Sequence, residues 1–290
     1  MNVARTPDNG SEIDQRAQSL RNWEEAASGW ARRSEEVREF AAPLTHWLID
    51  AINPQPGERV LELAAGLGET GMLVAELVAP AGGVIVSDQA EAMLAGARER
   101  AAALGLSNVE FSVLNAEWID LPVASVDAVV CRWGYMLMTD PSAALHETRR
   151  VLRPGGRLAL AVWDRIEGNP WAGLPASELR ERGVLAPLDP CEPGPFALSD
   201  AERLRELVES AGFVEVRVEP VELVRRHASF DEFWEVTLDL SRRFHDAVLA
   251  RPQEEISELR ESLASRLAPY TARDGSIALP ARTLAASASA

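Results

Sequence analysis

Three groups of residues along this chain could do chemistry together. Gly66, Gly68 and Gly71 follow an apolar run containing Val60, Leu61 and Leu63, and a helical pattern runs on from Met72 to Val78. Glycine has no Cβ, so a ligand can approach the backbone closely. The free N–H groups that open the next helix then face a polar or anionic group. Asp88 ends the segment GVIVSD, twenty positions after Gly68. A carboxylate there can accept hydrogen bonds from both hydroxyls of a ribose. Asn115, Ala116 and Glu117 follow a third apolar segment, where a side-chain amide or carboxyl beside a backbone N–H can read an adenine edge. Singly, each has a plain alternative: Asp88 as a helix cap, the glycines as a structural turn. Spaced as the ends of three strands of one sheet, they point to nucleoside binding.

The elements that must position these residues alternate. Strands are predicted at Arg59–Ala64, Gly83–Asp88, Val109–Leu114, Val126–Arg132 and Arg157–Trp163, with helices at 70–79, 90–104 and 141–152. Short, mostly apolar strands separated by helices imply a parallel sheet buried on both faces and joined by right-handed crossovers. The segment Arg153 to Gly156 ends a helix and turns the chain into the fifth strand. Ser199–Ala211 reads as a helix capped by Ser199 with Glu202 three residues on, Phe213–Arg225 as a sixth strand, and Ile277–Ala286 as a seventh. Single helices are expected over Phe230–Ala250 and Pro252–Leu267, and a short one at 175–182 within a proline-rich stretch. Residues 12–52 read as helical, with a second helix starting at Pro43, and the first dozen residues and the last few (AASASA) as frayed. The fold class is therefore α/β, a doubly wound and mostly parallel sheet. The organisation expected is an N-terminal helical lid (1–44), an α/β domain (45–227) with an irregular insertion (165–198), a helical cover (228–272) and a final returning strand (273–290).

Composition narrows the chemistry. The chain has 290 residues and a formal net charge of −16, which argues against a nucleic-acid partner, since that would need a basic face. It contains no lysine, so a lysine Schiff base and a Gly-Lys-Ser/Thr phosphate loop are excluded. Two cysteines, Cys131 and Cys191, make neither a disulfide framework nor a metal site. With no apolar run long enough for a membrane span and no leader pattern, a cytoplasmic protein acting on a small molecule is expected, and a homodimer is permitted.

The order and wording of the segments resemble the class I S-adenosylmethionine-dependent methyltransferases. The likeness is to the small-molecule enzymes of the ubiquinone/menaquinone C-methyltransferase-like, or type 11, group. VLELAAGLGETG resembles the first motif, VIVSDQAEAML the second, NAEWIDLP the third and VDAVVCRWGYMLMTDP the fourth, and RRVLRPGGRLALAVW the lead into the fifth strand. The resemblance covers residues 45–165. It implies a seven-stranded Rossmann-like methyltransferase fold with a helical lid, and S-adenosyl-L-methionine as cofactor. Glu62, Ala64, Gly66 and Gly68 would surround the methionine part. Asp88 would hold the ribose, Gln89 and Met93 would border the adenine, and Asn115, Ala116 and Glu117 would run along its edge. Arg132 and Trp133 would close over it. Ala64 stands where the family has its first glycine, so a slight shift is expected there.

Methyl transfer from a sulfonium needs alignment and a dry site more than acid–base help. If a base is used, His227 is the candidate among the four histidines, because it follows the sixth strand where a cover would begin. His46, His146 and His245 read as ordinary helix residues. Arg132 and Tyr135 could orient an acceptor oxygen. Trp23, Trp30, Trp133, Tyr135, Trp171 and Trp234 would make a pocket for an apolar or aromatic acceptor if they converge, or simply pack the lid helices. Two other functions stay open: an NAD(P)-dependent oxidoreductase, because Gly66 to Gly71 also matches the dinucleotide fingerprint, and a non-catalytic binding protein on the same fold.

Overall fold

A computed structural model describes residues 9–186 and 192–290. Pro187, Pro190 and Cys191 lie outside the described residues, as does most of the stretch read as frayed. Two helices lead, α1 (Asn9–Arg32) and α2 (Ser34–Ile52). The α/β alternation follows: β1 (Arg59–Glu62), α3 (Glu69–Val78), β2 (Gly83–Asp88), α4 (Glu91–Leu104), β3 (Val109–Val113), β4 (Val126–Arg132), α5 (Pro141–Val151) and β5 (Leu152–Trp163). After it come α6 (Pro170–Glu181), α7 (Ala201–Ser210), β6 (Val214–His227), α8 (Phe230–Leu240), α9 (Arg242–Leu249), α10 (Gln253–Leu267) and β7 (Ile277–Ser289).

The seven strands form one sheet in the order β3-β2-β1-β4-β5-β7-β6. The first five are parallel to their neighbours, and β7 runs antiparallel between β5 and β6. A classic dinucleotide-binding sheet has the order 3-2-1-4-5-6, so the inserted seventh strand departs from that pattern. Residues Val60, Leu61, Val129 and Val130 of the central strands are fully buried, each worth about 1.5–3 kcal/mol of transfer free energy. The edge strand β6 alternates charged and apolar residues and contains Pro220; charge and proline both discourage pairing with another chain.

Several boundaries differ from the sequence reading, for local reasons. The first two helices separate at Arg33, not at Pro43, which lies inside α2. Pro43 forfeits one N–H bond, to the carbonyl of Glu39, a solvent-exposed residue, while the Arg33 guanidinium is fixed on Asp239 of α8 at 2.7 Å. Asp200, not Ser199, caps α7, accepting from the N–H groups of Glu202 and Arg203 at 3.1 Å. The expected single helix 230–250 breaks at Ser241, whose hydroxyl accepts from Phe244 N–H and starts α9. The AASASA end read as frayed is strand as far as Ser289, because it pairs with β5 on one side and β6 on the other. β1 stops two residues short of Ala64.

That early stop matters. Ala64 has φ +50°, and Trp133, at the equivalent exit of β4, has φ +61°. A left-handed alanine is disfavoured by about 1–2 kcal/mol, and this one is packed against the neighbouring turn. A Cβ built on Gly134 would lie 2.6 Å from the Ala64 Cβ and 2.5 Å from Cys131 Sγ. The methyl group at 64 thus occupies space that a glycine at 134 leaves open. Gly134→Ala should lower stability by about 1–3 kcal/mol, read from urea melts. Adding Ala64→Gly removes one of the two clashes, so the pair should couple by about 0.5 kcal/mol or more. Strictly additive penalties would show that the two positions do not share this space.

Candidate functional site

A cavity of about 1100 Å³, open at one side, lies across the C-terminal ends of β1, β2, β3 and β4 beneath α1. This is where open α/β sheets bind ligands. The turn after β1 forms its floor. The Asp88 carboxylate accepts from Gly66 N–H at 2.8 Å and from Ala90 N–H at 2.9 Å. One side chain therefore ties the glycine turn to the loop between β2 and α4. Burial raises the Asp88 pKa, with the N–H groups of Ala90, Gly66 and Gln89 counteracting. Asp88 remains the residue of β2 that faces the cavity.

Glu62 ends β1. Its carboxylate accepts from Gly71 N–H at 2.9 Å, and its backbone carbonyl accepts from the Ser87 hydroxyl at 2.7 Å. Burial pushes its pKa up to about 7, against the opposing charge of Arg132 and the Gly71 bond. Beside it, Arg132 donates to Glu69 at 2.6 Å and to the Thr45 hydroxyl at 2.9 Å, and lies over the Trp133 ring at 5.3 Å. Four carboxylates line the cavity: Glu62, Glu69, Asp88 and Glu117. Glu69 pairs with Arg132, and Glu117 with Arg16. Among the described residues, Glu62 and Asp88 have no ion-pair partner. Two buried, unneutralised acids in one cavity favour a cationic ligand.

The far wall is Asn115, Ala116 and Glu117. Asn115 Oδ1 accepts from Glu117 N–H at 2.9 Å, an Asx turn that fixes the loop. Glu117 then accepts from Thr139 N–H at 2.8 Å. Helix α1 covers this wall and is held by the same residues. Arg16 reaches Glu117 at 2.8 Å, Ser19 accepts from Gln89 at 3.1 Å, and Glu24 accepts from the N–H groups of Glu91 and Ala92 at 2.7 and 3.1 Å, at the first turn of α4. Trp23 and Trp30 pack edge to face and line the cavity with Met93 and Leu67. At its other end α1 can meet α8 only because Gly29 is glycine, since an added Cβ would lie 2.2 Å from the Asp239 carbonyl oxygen.

The cavity brings together Glu62, Ala64, Gly66, Asp88, Gln89, Met93, Asn115, Ala116, Glu117, Arg132 and Trp133 from the sequence reading. Three other residues lie elsewhere. Gly68 faces the interior: a Cβ there would meet Met72, Val86 and Ala97 within 3.3 Å, so this glycine lets α3 pack on the sheet. Tyr135 is fully buried, with its hydroxyl 2.6 Å from that of Thr148, and cannot orient an acceptor in the cavity. His227 lines a different, smaller cavity. Of the aromatic set, Trp23, Trp30 and Trp133 line the main cavity, while Trp234 packs among Phe230, Phe244 and α10 residues. Trp171 joins a separate stack described below. Cys131 is buried and its thiol pKa is pushed up to about 12, which leaves it inert.

Comparison with known proteins now bears on this geometry. A family model described as a methyltransferase domain matches residues 54–181. The ubiquinone/menaquinone biosynthesis C-methyltransferase UbiE of Pasteurella multocida (strain Pm70) is 30% identical over 188 residues, 64% of this chain and 66% of that protein. Its counterpart in Escherichia coli O1:K1 / APEC is 37% identical over 118 residues, 40% of this chain and 47% of that protein. The chain thus spans about half to two thirds of the length of these curated relatives. Among solved structures, protein BH2331 of Bacillus halodurans C-125 superposes over 84% of this chain and 97% of its own, with a TM-score of 0.56 and 19% identity, a likeness of fold. With the motifs, the inserted antiparallel strand and the matched domain in agreement, this chain belongs to the class I S-adenosylmethionine-dependent methyltransferases.

Proposed function

We propose that the protein transfers the methyl group of S-adenosylmethionine to a small organic acceptor with apolar or aromatic character. The observation that carries this reading is the pair of buried carboxylates, Glu62 and Asp88, that make no ion pair among the described residues and stand at the two sides of the turn after β1. The cofactor is a cation at its sulfonium and amino groups, and a cavity of this charge suits it. Glu62 would face the methionine part. Asp88 would hold the ribose hydroxyls through the lone pairs left after its two backbone bonds, and Asn115 to Glu117 would read the adenine edge. When bound, the sulfonium supplies a methyl group on a good leaving group.

The chain's own part is then alignment and exclusion of water. No histidine lines the main cavity, so the reading includes no imidazole base acting directly on the acceptor. Arg132, held by Glu69 and Thr45, fixes the turn that carries Trp133 rather than binding the acceptor. Helices α1 and α2, with the helical segment 228–272, would serve as the cover, and the surface charge of −16 disfavours a polyanionic acceptor such as nucleic acid. The coverage of the curated relatives leaves the quinone-type acceptor in their name as theirs.

Two measurements test the cofactor assignment. Asp88→Asn should weaken S-adenosylmethionine binding in calorimetry by about 10- to 100-fold, the scale of a hydrogen bond to a charged group, with thermal unfolding of the ligand-free variant as a control for the turn. Undiminished affinity would remove Asp88 from the ribose site. The second follows from the Glu62 pKa near 7. The ionised form attracts the cation, so affinity should rise as pH climbs from 6 towards 7 and level off above it. Binding at pH 6 should release a proton, detectable as a buffer-dependent heat, and Glu62→Gln should abolish both effects. The sign for the fold is opposite. A raised acid pKa means the folded state holds a proton the unfolded chain has lost, so ligand-free stability should fall between pH 4.5 and about 7.

A further inference from the structure

Next to the main cavity lies a second one of about 320 Å³, between the end of β6 and the faces of α2 and α8. Val37 lines both cavities. Phe40 also lines the smaller one, stacks on Trp133 at 5.9 Å and lies 6.1 Å from Trp163. Trp133 and Trp163 stack at 4.3 Å, and Trp171 tilts against Trp163 at 4.8 Å. The four rings pack as one wall that meets the main cavity at Trp133 and the second at Phe40.

Arg225 closes that wall. Its guanidinium lies over the Phe40 ring at 4.8 Å and over the Trp171 ring at 4.4 Å. Among the described residues it makes no hydrogen bond and no ion pair. The two rings cover its flat faces, so its in-plane N–H fork stays available, and a fork of this kind matches a carboxylate's two oxygens. Two acids share the cavity. Glu36 pairs with Arg33 at 3.2 Å and its charge also acts on Arg225, and Glu232 accepts from Ala228 N–H and its charge acts on His227. Arg226 also lines the cavity, from the same strand. His227 is 8% exposed, packs edge-on against Phe233 at 5.4 Å, and its Nε2 is buried with no partner. Burial and the nearby Arg225 charge push its pKa down to about 4. At neutral pH the ring is therefore uncharged, able to donate one N–H where Nε2 carries the proton. A buried orphan of this kind is unfavourable until something supplies its partner.

We propose that this second cavity is the subsite for a carboxylate borne by the methyl acceptor, held by the Arg225 fork and the His227 ring, with the acceptor's flat body against Phe40 and Val37. The proposal deepens the methyl-transfer reading and rests on it for the word acceptor, but the anion site stands on its own residues. It explains why a cation is kept in an aromatic clamp without a carboxylate partner, and why the sixth strand ends in Arg-Arg-His under the cover. The substrate class is an aromatic or similarly planar organic acid.

The probe is benzoate, titrated into the full chain with S-adenosylhomocysteine present and followed by tryptophan fluorescence, with benzamide as the uncharged isostere. Benzoate should bind at least 10-fold more tightly than benzamide. Arg225→Met keeps the stacked stem and removes the fork. It should cost benzoate 10-fold or more while affinity for S-adenosylhomocysteine stays within twofold of wild type. His227→Phe should weaken benzoate and leave benzamide unchanged. Equal binding of the two probes, no binding of benzoate, or full benzoate affinity in Arg225→Met would overturn the proposal. The wild-type comparison of the two probes decides it even where a variant fails to fold. Separate titration with S-adenosylhomocysteine keeps the readings apart: its failure to bind would strike the methyl-transfer reading, and discrimination between benzoate and benzamide would still establish the anion site.

Discussion

The Asp88 carboxylate is the constraint on which the cavity is built. Its two oxygens accept from Gly66 and Ala90, which belong to different loops at the ends of neighbouring parallel strands. Parallel pairing sets β1 and β2 side by side, with Glu62 opposite Val86, but it does not fix the turns beyond them. A buried acid with two backbone donors does. The same side chain holds Ala90, the residue before α4, and the first turn of α4 receives Glu24 of α1. Floor, rear helix and cover are thus arranged around one charged group. That group stays partly unsatisfied, since a carboxylate can accept about four hydrogen bonds. The spare lone pairs of a desolvated acid are what a diol can use.

The cover is coupled to the cavity through shared partners. Arg16 holds Glu117, Ser19 accepts from Gln89, and Trp23 and Trp30 lie on the Met93 side. These are the residues proposed to border the adenine. A ligand seated between them and α1 would add contacts to both surfaces. Binding and seating of α1 then draw on one free energy, as linkage requires. The clamp at the other end of the helix, Arg32 and Arg33 on Asp239, lies outside the main cavity, so α1 keeps an anchor that does not depend on a ligand there.

Much of this was legible in the residues. Strand ends carry the glycine turn, Asp88 and the Asn-Ala-Glu segment, and local pattern suffices to find them, because apolar runs buried on both faces and glycine turns are short-range signals. What was not legible depends on packing between distant segments. The sequence reading placed Gly68 with the ligand because it belongs to the glycine series, yet its hydrogen fills a gap against Met72 and Val86. Tyr135 stands three residues beyond Arg132, but the turn at Gly134 sends it inward to Thr148. His227 was chosen for its position after the sixth strand. The antiparallel insertion of β7 next to β5 moves β6 outward by one strand, and the ring faces the neighbouring cavity. Arg225 was passed over entirely. The signal available was the Arg-Arg-His run ending an alternating strand, and only the positions of Phe40 and Trp171 give it meaning.

The alanine at position 64 shows how a family pattern can change without loss of the site. A left-handed residue with a side chain costs energy, and glycine is the usual remedy. Here the turn at the end of β4 supplies room instead: Gly134 has no Cβ, and the Ala64 methyl group fills the place. A second left-handed position lies one strand over, at Trp133 with φ +61°, beside Ala64 at φ +50°. There the cost is offset by the ring's burial, its stacking on Trp163 at 4.3 Å and its indole N–H bond to the Thr283 hydroxyl at 3.2 Å. Residues held in sparsely populated backbone regions persist only where their surroundings over-determine them. Trp133 meets that condition from three sides, and so presents one ring at a defined angle to the main cavity. Glycine at 64 would remove only one of the two obstacles to a larger residue at 134, since Cys131 Sγ is the other, so the turn that seats Trp133 is held small from both sides.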